Sequence, residues 1–521
     1  MGLEFTEKEG KMMIKRILLK EKSMKVFVLF VFNLFWCILS LGIFVFNKHF
    51  SVDDYSLLYQ QKAASFTDIQ QNMRIVSGSL YYLLDMWGIN IVEWQIFFGT
   101  ILIITFAWII TRITMEIEEA AKAKVDAGKI ILLNGGTLVL FLNAAISEYL
   151  YYSGVYAQWI IGILGITYGA ICIGREKKIA INWLAGLAAL IVTAGSYQTF
   201  MAQYAYVVMT LIFLRNEGKI NRKSVMASIR AAIAAVVAMG INILGVKALV
   251  QCGIIGNDSR MKFDLMKIPE LLRSISHEQK SIWIDGMGIY PKGILAFLIV
   301  FFVGILFFVM YKRRAKIGEW IYLAIVLSSG FCVMYGAQIL QGFIRVTNRG
   351  MYAVFGIYAV SVWIIGIYIK ECDWKIVKQF IVCVISVFLF YSSSKINGIA
   401  VDVLKTNIVS RCYMEEINRR ICNYENLNSV HITKVGFFRD AFVSYRYYDF
   451  IDTGAYGDMC ANPFLAEWSS VNSLNYYTNR QLELVSVPED IIQEYEGKNW
   501  DEPEWNDQLI FDYDTVYICV F

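Results

Sequence analysis

Long apolar runs, separated by short polar or charged breaks, dominate the chain. Eleven are long enough to be read as membrane spans: 24–46, 91–113, 130–147, 156–173, 180–196, 199–214, 226–250, 293–311, 318–340, 350–369 and 377–394. A helix needs about 20 such residues to cross a hydrocarbon core of roughly 30 Å. The fourth to sixth runs are short and crowded, which leaves room for a re-entrant segment. After residue 396 the membrane pattern stops. A helix is expected over 402–423, a strand over 431–438 and a final strand over 515–521, from the change of period between them. The pattern therefore predicts an all-α polytopic membrane protein, with a membrane core over 1–395 and a small α/β domain over 396–521.

Charge adds an orientation. Arg112, Lys122, Lys124 and Lys129 fall in one predicted loop. Arg175, Lys177 and Lys178 fall in the next on that side, followed by Arg215, Lys219, Arg222 and Lys223, then by Lys312, Arg313, Arg314 and Lys316, and then by Lys370 and Lys375. Loops on the cytoplasmic side are basic. Five basic loops in alternate positions predict a cytoplasmic N-terminus and an extracytoplasmic C-terminus. The tail carries about twice as many acidic as basic residues, which suits the outer side.

Composition agrees: 57% of the 521 residues are hydrophobic. The first apolar run exceeds the length of a signal-peptide core and reads as a span rather than a cleaved leader. The ten cysteines and three histidines show no metal-ligand spacing. Cys412, Cys422, Cys460 and Cys519 lie outside the spans and leave one disulfide open.

Five groups of residues could carry chemistry on the outer side. Asp53 and Asp54 follow the first span. A carboxylate there can take a proton from an acceptor hydroxyl, hold a divalent cation such as magnesium or manganese, or cap the helix that follows. Arg74 opens an amphipathic stretch from Ile75 to Trp87; its planar fork suits a phosphate, and an interfacial arginine also simply snorkels. Arg345 and Arg349 are basic in a predicted outer turn, where no topological rule requires them. They suit a lipid phosphate or an ion pair. Glu148 stands among Tyr149, Tyr151, Tyr152 and Tyr156, a set suited to stacking a sugar or to forming an interfacial aromatic belt. Tyr197 and Gln198 repeat that polar–aromatic character near another outer helix end.

Ser51-Val52-Asp53-Asp54-Tyr55, then Asn72-Met73-Arg74 and Leu80-Tyr81-Tyr82-Leu83-Leu84, with Gly195-Ser196-Tyr197-Gln198 further on, resembles the bacterial Gtr type II glucosyltransferases. Met73 stands where that family has glycine. The resemblance covers roughly residues 24–394. It implies a GT-C fold and transfer of a sugar from a polyprenyl-phosphate carrier to a cell-surface glycan at the outer face of a bacterial plasma membrane. It also implies Asp53 or Asp54 as the base and Arg74, Arg345 and Arg349 as phosphate contacts, with Glu148, Tyr149, Tyr152, Tyr197 and Gln198 around the sugar or acceptor. No glycine-rich phosphate loop points to a nucleotide sugar, and no nucleic-acid partner is expected. A polysaccharide polymerase is the nearer alternative. A lipid-linked glycan flippase or transporter is the more distant one, because the charges lie at the outer ends and no repeated halves are visible.

Overall fold

The computed structural model describes residues 7–122, 126–176, 178–256, 264–342, 344, 347–369, 375–439, 459–496, 498 and 505–520. Helix α1 (Glu7–Phe46) is followed by two helices outside the apolar runs, α2 (Val52–Asn72) and α3 (Ile75–Met86). Then come α4 (Gln95–Ala121), α5 (Ala127–Phe141), the short α6 (Ser147–Leu150), α7 (Tyr156–Gly174), α8 (Ile179–Ser196) and α9 (Met201–Arg215). The rest of the helical core is α10 (Arg222–Gln251), α11 (Ile268–Trp283), α12 (Ile294–Lys312), α13 (Ile317–Gln341), the short α14 (Asn348–Met351), α15 (Gly356–Tyr368) and α16 (Lys375–Asn428).

Among the described residues, ten helical segments are long and apolar enough to cross a membrane, against the eleven expected. The run read as the sixth span is α9, with only 15 residues. At 1.5 Å per residue it covers about 22 Å, shorter than α8 and α10 on either side, yet it still runs from the end of the bundle where α8 stops to the end where α10 starts. Every residue from Met201 to Leu214 is buried, because α9 packs inside the bundle between α4, α7, α13 and α15. Helix α5 is likewise buried along nearly its whole length, whereas α10 and α12 leave large apolar faces exposed, as lipid-facing helices do.

Inside the bundle, polar side chains join helices. The Asn33 amide donates to Thr111 Oγ1 at 2.9 Å and to Asn134 Oδ1 at 3.0 Å, and Asn134 returns a bond to Asn33 Oδ1 at 2.7 Å. This ties α1, α4 and α5 where lipid offers no competing partner. Asn33→Leu strands the Asn134 NH₂ group, whose oxygen still accepts from Thr114 Oγ1 at 3.2 Å, and should cost about 1 kcal/mol of stability in detergent. The double variant Asn33→Leu/Asn134→Leu should recover part of the lost melting temperature, because no orphan then remains.

Helix α16 runs for 54 residues, about 80 Å, and crosses residue 396 without a break. The expected last span and the first helix of the tail are one element. Beyond it lie β1 (Lys434–Arg439), α17 (Glu467–Thr478), β2 (Glu483–Leu484), α18 (Glu489–Glu496), α19 (Trp505–Gln508), β3 (Leu509–Asp512) and β4 (Thr515–Val520). The sheet order is β2-β1-β4-β3; β1 is parallel to β2 and β4, and β3 is antiparallel to β4. The two strands expected from sequence are neighbours, with Lys434 opposite Thr515. Met414, Ile417 and Ile421 of α16 join Val435, Leu474, Val516 and Ile518 in a separate apolar core. Cys412 and Cys422 are free thiols on α16.

An ion pair braces this C-terminal unit. Arg480 donates to both Glu425 carboxylate oxygens, at 3.0 and 2.9 Å, and to Asn418 Oδ1 at 2.5 Å. The guanidinium bonds pull the Glu425 carboxyl down from 4.5 to about 2, against the opposing effect of its burial. A carboxyl lowered in the folded state contributes stability above its unfolded pKa and loses it as pH falls toward the folded value. The melting temperature should therefore drop between pH 4.5 and 2, and Arg480→Gln should flatten that drop.

Two contacts seat the C-terminal unit on the start of α2. Asn407 of α16 exchanges hydrogen bonds with the Phe50 backbone, at 2.8 and 3.0 Å. Tyr477 of α17 meets Tyr55 hydroxyl to hydroxyl at 3.0 Å.

Candidate functional site

The connection Asn47–Ser51 ends α1 and starts α2. Ser51 is the N-cap: its Oγ accepts from the Asp54 amide at 3.2 Å, and the Ser51 amide donates to Asp54 Oδ2 at 2.8 Å. This is a capping box. The same carboxylate reaches across to the loop before α7, where Ser153 N donates to Oδ2 at 3.2 Å and Gly154 N to Oδ1 at 2.9 Å. Gly154 permits the approach, since a Cβ there would lie 2.4 Å from Leu57 Cδ1. Burial pushes the Asp54 carboxyl above its ordinary range, while the N–H groups of Ser51 and Gly154 and the neighbouring His49 work the other way. Asp54 is a buried staple with its oxygens occupied by N–H donors, which does not suit a cation. Asp53, one residue earlier in the first turn, is exposed. The two carboxylates thus differ in environment, one buried and bonded, the other exposed. Among the described residues, no group of three or more His, Cys, Asp or Glu is placed to hold a metal.

Arg74 sits where α2 turns into α3. Met73 closes α2 in the left-handed conformation, φ 54°, which glycine adopts without the cost a side chain brings. The turn swings Arg74 back toward α2. Its Nη1 lies 3.4 Å from Asp68 Oδ1, and its Nε donates to Gln198 Oε1 at 3.4 Å. Its guanidinium stacks over the Tyr197 ring, 4.1 Å from the centroid. Asp68 is held in turn by Asn72 Nδ2 at 2.8 Å and by Ser77 Oγ. Gln198 Nε2 donates to the carbonyls of Asn72 and Met73 at 3.1 and 3.0 Å. Gly195 lets α8 come this close to α3, because a Cβ there would lie 2.7 Å from Val76 Cγ2.

From Tyr197 the contacts continue to the opposite wall. Its ring lies 5.3 Å from Tyr149, which packs on Trp159 at 4.1 Å and donates its hydroxyl to the Arg349 carbonyl at 2.6 Å. Glu148, fully buried, accepts from the Arg349 amide at 2.8 Å and lies 3.4 Å from Arg349 Nε. The Arg349 guanidinium covers the Tyr152 ring at 5.0 Å. Tyr152 neighbours Tyr151, whose hydroxyl accepts from the Val52 amide at 3.4 Å. A continuous path of contacts therefore joins Arg74, Gln198, Tyr197, Tyr149, Glu148, Arg349 and Tyr152 and returns to the first turn of α2. All of it lies at the end of the bundle where α7 and α9 begin. Arg345 lies outside the described residues.

The sequence reading missed Asp68, Ser77, Trp159 and Phe200. Asp68 precedes Arg74 by six residues, and only the left-handed turn at Met73 brings the pair together. Trp159 and Phe200 look like ordinary span residues and become part of the aromatic wall through packing alone, their ring centroids 5.2 Å apart and Phe200 stacked beside Tyr149 at 6.2 Å. No protein-family model and no curated protein match this sequence.

Proposed function

We propose that this protein is a membrane glycosyltransferase that moves a sugar, glucose by the resemblance, from a polyprenyl-phosphate donor to a cell-surface glycan. The reading rests on one observation: two arginines and a tyrosine wall lie on one contact path that closes beside an exposed carboxylate. In the proposed reaction Asp53 takes the proton of an acceptor hydroxyl as that oxygen bonds to the anomeric carbon of the sugar. The bond from that carbon to the phosphate oxygen breaks, and the polyprenyl phosphate leaves with the electron pair. Arg74 and Arg349 oppose the charge gathering on the leaving phosphate, and fixed donors in a partly dry site are effective at this. Tyr149, Tyr152 and Tyr197 give the sugar rings to stack on. Asp68 and Glu148 orient the two guanidinium groups rather than react. The basic loops support an arrangement with the N-terminus in the cytoplasm and this end of the bundle outside.

Arg74→Gln should raise the KM for donor about tenfold or more, because the phosphate loses a charge-assisted partner. It should leave the fold intact, since Asp68 keeps Asn72 and Ser77 as donors. The activity itself is tested in proteoliposomes with glycan acceptor and labelled hexose donors. Transfer from polyprenyl-phosphate hexose and not from a nucleotide hexose is the expected result. Transfer from the nucleotide donor alone would overturn the reading.

A further inference from the structure

The opposite end of the bundle carries a second feature that the proposed chemistry does not use. A cavity of about 530 Å³ lies among the ends of α7 and α9 and the starts of α8 and α10. Arg215, Arg222, Lys223 and Arg230 line it, against one carboxylate, Glu176. Ile179, Ile212 and Met226 give it an apolar side, and Ile179 and Met226 are themselves exposed toward the bundle's outer surface. Helix α7 has 19 residues, so this cavity lies about 28 Å along the helix axis from the candidate site.

Basic residues at helix ends are expected on topological grounds alone. Three observations go further. First, Arg215 is mostly buried. Its Nη2 is paired with Glu116 at 2.5 Å, while its Nη1 is buried with no hydrogen-bond partner among the described residues. A buried guanidinium nitrogen without an acceptor costs stability unless something from outside supplies one. Second, Gly174 leaves the space that Nη1 occupies, since a Cβ there would lie 2.7 Å from it. Third, Arg222, Lys223 and Arg230 follow one face of α10 and form no ion pair among the described residues, where Lys25, Arg112 and Arg313 at the same end each do. The cavity thus combines an excess of cations, an unmet buried donor and an apolar flank at the edge of the bundle. A free phosphate would satisfy the cations only. A phospholipid headgroup would satisfy them and also lay its glycerol and first acyl carbons on Ile179, Ile212 and Met226.

We propose that this cavity binds the phosphate headgroup of an anionic phospholipid at the end of the bundle opposite the candidate site. Basic pockets between membrane helices recognise such headgroups in general. The full-length protein, purified in mild detergent, would be titrated with phosphatidylglycerol or phosphatidylcholine and read by native mass spectrometry. Bound phosphatidylglycerol should exceed bound phosphatidylcholine. Arg222→Gln/Arg230→Gln should weaken the anionic lipid about tenfold or more. Lys312→Gln/Arg314→Gln, which removes two charges at the same end outside the cavity, should not. Equal losses in both double variants would mean diffuse attraction to a basic face and would overturn the proposal. Full displacement of the lipid by millimolar inorganic phosphate would overturn the lipid assignment in favour of a free anion. Because the readout is lipid binding, its result is independent of sugar transfer.

Discussion

Asp53→Asn is expected to lower sugar transfer by about 10²–10⁴-fold, the usual contribution of a positioned general base, while the protein stays folded. Asp53 is exposed in the first turn of α2 and is not the residue that closes the capping box. Asparagine keeps its shape and its polarity at the helix start and removes the basic oxygen. Transfer measured in proteoliposomes, beside the melting temperature, separates the two effects. Turnover within a few-fold of wild type would mean that the first turn of α2 is only structural.

Asp54→Asn should do the reverse, and the loss should be one of fold. Three backbone N–H groups converge on its two oxygens, from Ser51, Ser153 and Gly154. Either orientation of an asparagine amide sets an NH₂ group against at least one of these donors in a buried site. The cost should be about 3 kcal/mol, from lost charge-assisted bonds and a stranded donor. The loop 153–155 should loosen with it, which hydrogen exchange at Ser153 and Gly154 would report. Adjacent and identical in sequence, the two aspartates should therefore give opposite phenotypes: one inactive and stable, the other unstable.

The hydrophobic pattern was enough to locate the apolar helices, although the second ends at Ala121 rather than at 113, because lipid imposes a length that few other environments require. At α9 it marked a run that is only 15 helical residues long and is buried in protein rather than facing lipid. It failed at residue 396, where the chain turns polar within one continuous helix that carries Asn397 and Gly398 in its interior without stopping. At the candidate site the residue types were legible, since charge beside a membrane is rare. Their division of labour was not. That Asp54 caps and staples while Asp53 stays exposed depends on the approach of the 153–154 loop, a contact about 100 residues away in sequence. The pairing of Arg74 with Asp68 likewise depends on one left-handed residue, Met73.

The most direct test of the account is an experimental structure with polyprenyl phosphate bound. Phosphate density is expected within hydrogen-bonding distance, about 3 Å, of the Arg74 and Arg349 guanidinium groups, with its neighbouring space open to Asp53. Phosphate held elsewhere in the bundle, with Arg74 and Arg349 still engaged only by Asp68 and Glu148, would contradict it.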